Sequence, residues 1–419
     1  MRNIFEDDPQ MGRGEFASNL VKRHRYGRAW RLIFQISTLI GIVALVLLMV
    51  NIINSAFGYA AIENKIDPQS LVINEIHIEE LHKLDLIYIL KQNISPGLFR
   101  GLQSEEPFQE QTREQIYDLV IERVVKPEVQ QTWGFWESLF KRSQVLAEAR
   151  SEYPNAEIKM VSWLDADFIV TPQSSDPERA GVRTAILGSL WTIAITFIFA
   201  FFLGVGAAIY LEEYATDTPL NRLIQTNINN LAGIPSIIYG ILGLAIFVRT
   251  LERFTSGAAF GLVDPTTANG RTILSAGLTL GLLILPLIII NAQEAIRAVP
   301  NSLRQAAFGL GATRWQTIWN HVLPNAISGI LTGTILAISR AVGETAPLVV
   351  VGASTYITYD PDNPFSKFTT LPIQIFQWTS RPQDEYRNIA AAAIIILLIL
   401  LLTLNATAIY LRNRYSRNY

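Results

Sequence analysis

Apolar runs long enough to cross a bilayer alternate along this chain with polar segments of very unequal length. The runs fall at 32–53, 184–211, 231–247, 273–290, 327–351 and 388–411. About 20 residues at a rise of 1.5 Å span the roughly 30 Å hydrocarbon layer, and a helix satisfies its backbone hydrogen bonds internally, as lipid requires. The pattern predicts an all-α membrane protein of six transmembrane helices. Between the first and second runs, 57–182 is hydrophilic and punctuated by Pro68, Pro96, Pro107, Pro127, Pro154, Pro172 and Pro177. Within it, 109–125 sets Ile116, Leu119, Val120 and Val124 at helical spacing, while 158–170, with Trp163 and Phe168, reads as a strand. A small α+β insert domain is expected there, with Trp133 and Trp136, near Phe135 and Phe140, read by default as part of its core and alternatively as an aromatic patch dipping into lipid. His77 and His82 beside Glu79 and Glu80 lack the spacing of a metal-binding pair on one helix face and read as surface positions.

Charge sets the expected orientation. The net charge of -2 hides an asymmetry, since 57–182 holds 21 Asp/Glu against 12 Lys/Arg, a net of -9. Segment 1–31 carries seven basic residues, Arg2, Arg13, Lys22, Arg23, Arg25, Arg28 and Arg31, directly before the first run. With that end inside, cytoplasmic segments hold 14 Lys/Arg and the short outer loops six, a bias that places both termini in the cytoplasm and 57–182 outside. The tail 412–419 is then cytoplasmic. The absence of cysteine excludes disulfides, thiolate metal sites and a thiol nucleophile.

The polar island 294–326, between the fourth and fifth runs, reads as two short helices at a glycine elbow. Ser302 with Gln305, and Thr313 with Gln316, have the spacing of capping boxes, and Gly309 and Gly311 lie between them. Leu303, Ala306, Ala307 and Leu310 recur at helical spacing and give the first helix a small apolar face suited to a shallow cleft, flanked by Arg304 and Arg314.

Within the fifth run, Arg340 and Glu344 are four residues apart on one face, in a setting where a lone charge is costly. Gly329, Gly333, Ala337, Ala341 and Pro347 share that stripe, which fits contact with a partner subunit; Pro347 is expected to end or kink the helix one turn after the glutamate. The pair reads either as a gate on a translocation path or as a structural ion pair. Arg297, just past the fourth run, reads equally as an exit-side anion contact or an orientation charge. No phosphate-binding G-x-x-x-x-G-K-S/T loop occurs, so any ATP hydrolysis belongs to another polypeptide. A membrane sensor would use 57–182 as its outer domain but needs a cytoplasmic output domain; an intramembrane hydrolase needs histidines or other reactive groups inside the spans.

The string Gln305-Ala306-Ala307, then Gly311, then Leu323-Pro324 resembles the EAA loop of ABC importer permeases, with glutamine where that family usually carries glutamate. Gly343-Glu344-Thr345-Ala346-Pro347, Leu211-Glu212-Glu213-Tyr214-Ala215, Asn230 to Ser236 and Leu371-Pro372-Ile373-Gln374-Ile375-Phe376 are similar to PstA-type phosphate permeases. The resemblance covers about 180–412. It implies a type I ABC importer permease core over 184–411, embedded in a bacterial inner membrane. It also implies an ATPase-coupling role for Gln305, Ala306, Ala307, Gly309, Gly311, Leu323 and Pro324, and a path or gate role for Arg340, Glu344 and Arg297. The implied partners are a second, PstC-type permease subunit, two ATPase subunits carrying ATP and Mg, an extracytoplasmic phosphate-binding protein and membrane lipid, with no nucleic acid and no cofactor on this chain. Another oxyanion (molybdate, sulfate or phosphonate) is the alternative substrate.

Overall fold

A computed structural model describes residues 15–73, 76–105, 107–109, 111–174, 177–262, 269–353, 357 and 359–415. Arg2, Arg13 and Arg417 lie outside them. The chain divides into a first unit ending at Asn54 and a second beginning at Ser55. Helix α1 (Glu15–Ala56) contains the first apolar run, prolonged at its start by the basic residues from Lys22 to Arg31.

In the second unit the chain enters β1 (Phe57–Asn64), α2 (Lys83–Asn93), α3 (Pro96–Glu105), α4 (Arg113–Val120), β2 (Pro127–Thr132), α5 (Phe135–Phe140), α6 (Arg142–Glu152), β3 (Glu157–Ser162) and α7 (Ala166–Val170). The strands form an antiparallel sheet in the order β2-β1-β3. Thr112 and Gln115 close a capping box at the start of α4, and Ile116, Val120 and Val124 bury against Leu86, Ile89 and Leu90 of α2, as the helical spacing predicts. The expected strand over 158–170 is half right: β3 stops at Ser162, and the Asp165 carboxylate accepts from the Phe168 amide to start α7. An Asp in extended conformation is a better helix N-cap than a strand residue. Trp133 is buried, but Trp136 stays 37% exposed. His82 is the N-cap residue of α2 and His77 lies in the turn before it.

The remaining helices are α8 (Arg183–Ile209), α9 (Pro219–Leu231), α10 (Ser236–Gly243), α11 (Glu252–Thr255), α12 (Ile273–Arg297), α13 (Asn301–Gly309), α14 (Arg314–Thr317), α15 (Leu323–Val342), α16 (Ala346–Val351), α17 (Leu371–Thr379) and α18 (Asp384–Tyr415). Among the described residues, five helices are long and apolar enough to cross a membrane, or six if α9 and α10 count as one bent span. The run at 231–247 is therefore not straight: the chain turns by 110° between α9 and α10. Proline at 235 disfavours helical backbone at Ile234 and supplies no amide hydrogen, so a helix arriving at Leu231 stops there. The fifth run is also interrupted. Helix α15 ends at Val342, before Glu344, and Pro347 stands in the first turn of α16, so the proline starts a helix that was expected to end there. A pyrrolidine ring is tolerated in a first turn because no intrahelical amide is needed there.

Helix α12 is the hub, packed by α8, α10 and α15 through Ala200, Tyr239, Ile284, Ile288, Ala337 and Ala341. A methyl group added at Gly329 or Gly333 would overlap Ala295 or Asn291 of α12. Gly333, Ala337 and Ala341 of the stripe are buried inside the chain, whereas Gly329 and Arg340 on the same stripe stay exposed. Small side chains there let two backbones approach, the usual basis of helix association in lipid.

The insert does not stand apart from the bundle. Trp163, Phe168, Ala180 and Val182 share one buried cluster with Leu371, Trp378, Tyr386 and Ile389. Arg183 pairs with Asp360 at 2.8 Å, and Gln173 accepts from the Ile357 amide at 3.0 Å. Truncating the fully buried Trp378 to alanine should cost about 3–5 kcal/mol. Trp378→Ala should therefore lower the thermal midpoint of the purified chain and also expose the 163–182 segment to protease; a nick-free 163–182 at wild-type stability would contradict a shared core.

Candidate functional site

Two acidic neighbours at the end of the second run, Glu212 and Glu213, organise the polar island. They sit in a π-helical turn, Tyr210–Tyr214, that ends the span begun by α8. Glu212 receives Arg297, the last residue of α12, through Nη2 to Oε1 at 2.6 Å and Nε to Oε2 at 3.2 Å. Glu213 receives Arg304 of α13 through Nη2 at 2.7 Å and Nε at 3.1 Å. The Arg297–Glu212 pair is bidentate, which fixes orientation as well as distance, whereas the two short Arg304 bonds converge on Oε1 of Glu213.

The two pairs differ in setting. The Arg297 side chain is 62% exposed, whereas Arg304 and Glu213 are 14% and 11% exposed. Arg304 also donates to the carbonyls of Val299 at 2.7 Å and Ile296 at 2.9 Å. The Ile296 carbonyl belongs to the last turn of α12, and Val299 lies two residues past its end. One guanidinium thereby joins α13, the end of α12 and the end of α8. Sequence spacing placed Arg304 as a flanking surface charge; the structure turns it inward, across 91 residues of separation to Glu213 that no local pattern signals.

The elbow forms as expected on its second side. Thr313 and Gln316 make a reciprocal capping box at α14. The Ser302–Gln305 box does not form, because α13 begins two residues earlier than that box requires, with Pro300 as its N-cap and Ser302 inside its first turn. At the turn, the Ala312 amide bonds the Ala307 carbonyl at 3.0 Å and the Gly311 amide bonds that of Phe308 at 2.9 Å, with Gly311 at φ +81°. That is a Schellman ending, which places glycine at its left-handed position.

The predicted apolar face divides in two. Ala307 is buried, while Leu303, Ala306, Leu310 and Gln305 are exposed, Leu310 at 91%. Gly309 is the exposed last residue of α13. Phe308, Trp315 and Trp319 add to the exposed face, the two indoles stacked 5.5 Å apart. Their four-residue spacing was the available signal for this pair. Leu323 packs on the cluster of Ala208, Ile289, Ala292 and Val322, and Pro324 stands in the first turn of α15. Both lie behind the exposed face and support it.

Toward the other end of α15, Arg340 Nε lies 3.3 Å from Glu344 Oε1, with side chains 46% and 17% exposed. Arg340 occupies the last turn of the helix, where its charge complements the helix dipole. Glu344 belongs to the break at 343–345. That break is pressed on α10: a methyl group at Gly240 would lie 2.7 Å from the Pro347 Cα, so glycine is needed for the contact. The candidate path pair therefore sits at a discontinuity between two helices. A further polar contact, between the Gln225 and Gln293 amides at 2.8 and 3.1 Å, ties α9 to α12.

Breaking a buried ion pair from one side typically costs about 3–5 kcal/mol, against about 0–1 kcal/mol for an exposed pair. Arg304→Met should consequently destabilise the detergent-purified chain far more than Arg297→Met, with Arg304→Lys between them because an ammonium cannot reach the carboxylate and two carbonyls together. Scanning calorimetry would contradict the assignment if the 304 and 297 variants melted alike.

Residues 200–417 match the family model described as binding-protein-dependent transport system inner membrane component. A probable ABC transporter permease protein of Bacillus subtilis, YqgI, is 34% identical over 222 residues, covering 52% of this chain and 69% of that protein. The phosphate transport system permease protein PstA of Haemophilus influenzae is 28% identical over 248 residues, covering 59% and 81%. PstA 1 of Mycobacterium tuberculosis is 34% identical over 210 residues, covering 49% and 63%. With an exposed two-helix elbow locked to the ends of two spanning helices, and a family match over half its length, the chain belongs to the binding-protein-dependent transport system inner membrane components.

Proposed function

We propose that the chain is the permease subunit of an ATP-driven importer of inorganic phosphate. The observation that carries this reading is the exposed face of α13 and α14, presented on a Schellman elbow and anchored by Arg304 to α8 and α12. A surface that must pass force from an ATPase into spanning helices needs both an accessible face and a stiff attachment. Phosphate as substrate rests on the PstA names of its relatives and on a fixed cation, Arg340, beside a helix break.

In this reading Gln305, Ala306 and the exposed side chains around them meet the ATPase, while Ala307, Leu323 and Pro324 seat the element. The six spans adopt a type I ABC importer arrangement in the inner membrane with both termini cytoplasmic. The partners are a PstC-type permease, two ATPase subunits that hold ATP and Mg, and a phosphate-binding protein; this chain carries no cofactor. The insert 57–182, net -9, is an extracytoplasmic accessory domain that contacts protein partners and not the anion itself, which it would repel. Arg340 and Glu344 gate the path, and Arg297, bonded to Glu212, braces its inner end.

Reconstituted vesicles containing the complete transporter should take up labelled phosphate in preference to molybdate, sulfate and phosphonate; preference for another of these anions would replace the substrate assignment. In the same vesicles, Arg340→Met with Glu344→Met should assemble, because both charges are removed together, yet fail to import, since no cation remains to offset the dianion in a low-dielectric passage. Wild-type uptake by that double variant would remove the pair from the path.

The elbow gives a separate test. A β-branched side chain in left-handed backbone costs on the order of 1–2 kcal/mol, whereas Asn tolerates it, and no atom lies within 4 Å of a methyl group added at Gly311. Gly311→Val should uncouple ATP hydrolysis from uptake while Gly311→Asn retains coupling; equal coupling in both would show that the elbow geometry is dispensable.

A further inference from the structure

Helix α5 places an apolar, partly aromatic surface close to where the first spanning helix leaves the membrane. The uncharged stretch of α1 begins after Arg31, and about 20 residues from there cross the hydrocarbon layer. The far boundary therefore falls near Asn51 to Ser55, and α1 ends at Ala56. The next residue, Phe57, starts β1.

The link from β1 to α5 is short and rigid. Trp133 donates its amide to the Tyr59 carbonyl at 2.8 Å, and the Tyr59 amide donates to the Ser138 hydroxyl at 2.9 Å. Ser138 is buried and its hydroxyl also donates to the Gly134 carbonyl at 2.8 Å. The Phe57 and Phe135 rings meet edge to face at 6.3 Å. At about 3.3 Å per extended residue, Tyr59 lies about 10 Å along the chain from the end of α1, and α5 is hydrogen-bonded to it. Helix α5 cannot be far from the membrane surface.

What α5 exposes suits that layer. Trp136 is 37%, Leu139 55% and Phe140 76% exposed, with the Trp136 and Phe140 rings stacked at 6.0 Å. Lys141 and Arg142 follow, both exposed. Burying Ser138 while exposing Phe140 inverts the pattern expected for a helix facing water. Aromatic rings beside basic residues fit the headgroup boundary, where indoles settle and cations meet anionic lipid.

We infer that α5 is an interfacial lipid anchor, its Trp136, Leu139 and Phe140 face dipping into the headgroup–acyl boundary and Lys141 and Arg142 meeting anionic headgroups. It would hold the insert's sheet against the bilayer surface next to the end of α1. Segment 57–182 precedes the 200–417 family match, so the anchor is a property of this chain beyond its transport core.

The cysteine-free chain allows a unique label. Phe140→Cys and Leu139→Cys, each carrying a nitroxide in the full-length chain in nanodiscs of phosphatidylethanolamine and phosphatidylglycerol, should be relaxed more by oxygen than by a water-soluble nickel chelate. Leu84→Cys on α2, a site 79% exposed on the same insert, should show the opposite order. Chelate-dominated relaxation at 139 and 140 would make α5 a solvent face, and protection from both reagents would make it a protein-covered face; either result overturns the anchor.

Discussion

One guanidinium fixes how the polar loop 294–326 relates to the membrane helices of this chain. Arg304 spends its donors on the Glu213 carboxylate and on the carbonyls of Ile296, in the last turn of α12, and Val299, just past it. The loop helix α13 is otherwise short, nine residues, and too small to hold an orientation by its own burial. Its one buried residue is Ala307. A nearly buried ion pair that also bonds two backbone carbonyls gives a rigid joint, and the Arg297–Glu212 pair repeats the design on the exposed side.

The second constraint is discontinuity. Two of the apolar runs are broken at X-Pro or near-Pro positions, at 231–236 and at 343–346, and the two breaks belong to helices that pack on each other through Gly240 and Pro347. Arg340 and Glu344 lie at one of them. Breaks free backbone groups and permit local rearrangement, which a permease core needs and a static bundle does not. The hub α12 remains continuous through Pro286, buried among its neighbours, and so supplies the fixed reference.

Much of this was legible in the chain. Apolar runs located the spans, and a Thr-x-x-Gln box and Gly311 located the elbow, because each is a local signal acting over three to twenty residues. The Ser302 box failed for an equally local reason: Pro300 fixes the backbone at φ -58° and lets the helix begin at Asn301, leaving Ser302 no capping position. The pairings of Glu212 and Glu213 with arginines 85 and 91 residues away carried no such signal, since burial and partner are tertiary facts. The same holds for the insert, whose Trp163 and Phe168 find their core partners on α17 and α18. For the two tryptophans, sequence offered a core as the default and a lipid-facing patch as the alternative; the structure buries Trp133 and leaves Trp136 on α5 exposed, a tertiary outcome that no local spacing signals.

The central claim is that α13 moves with the end of α8 as one body. Electron–electron distance measurement between nitroxides at Gln305→Cys on α13 and Phe202→Cys on α8 tests it in the assembled transporter, both native residues being exposed. The account predicts one narrow distance that is the same without nucleotide and with ATP trapped, broadening when Glu213→Gln weakens the joint. A distance that shifts with nucleotide in the otherwise native chain would contradict it.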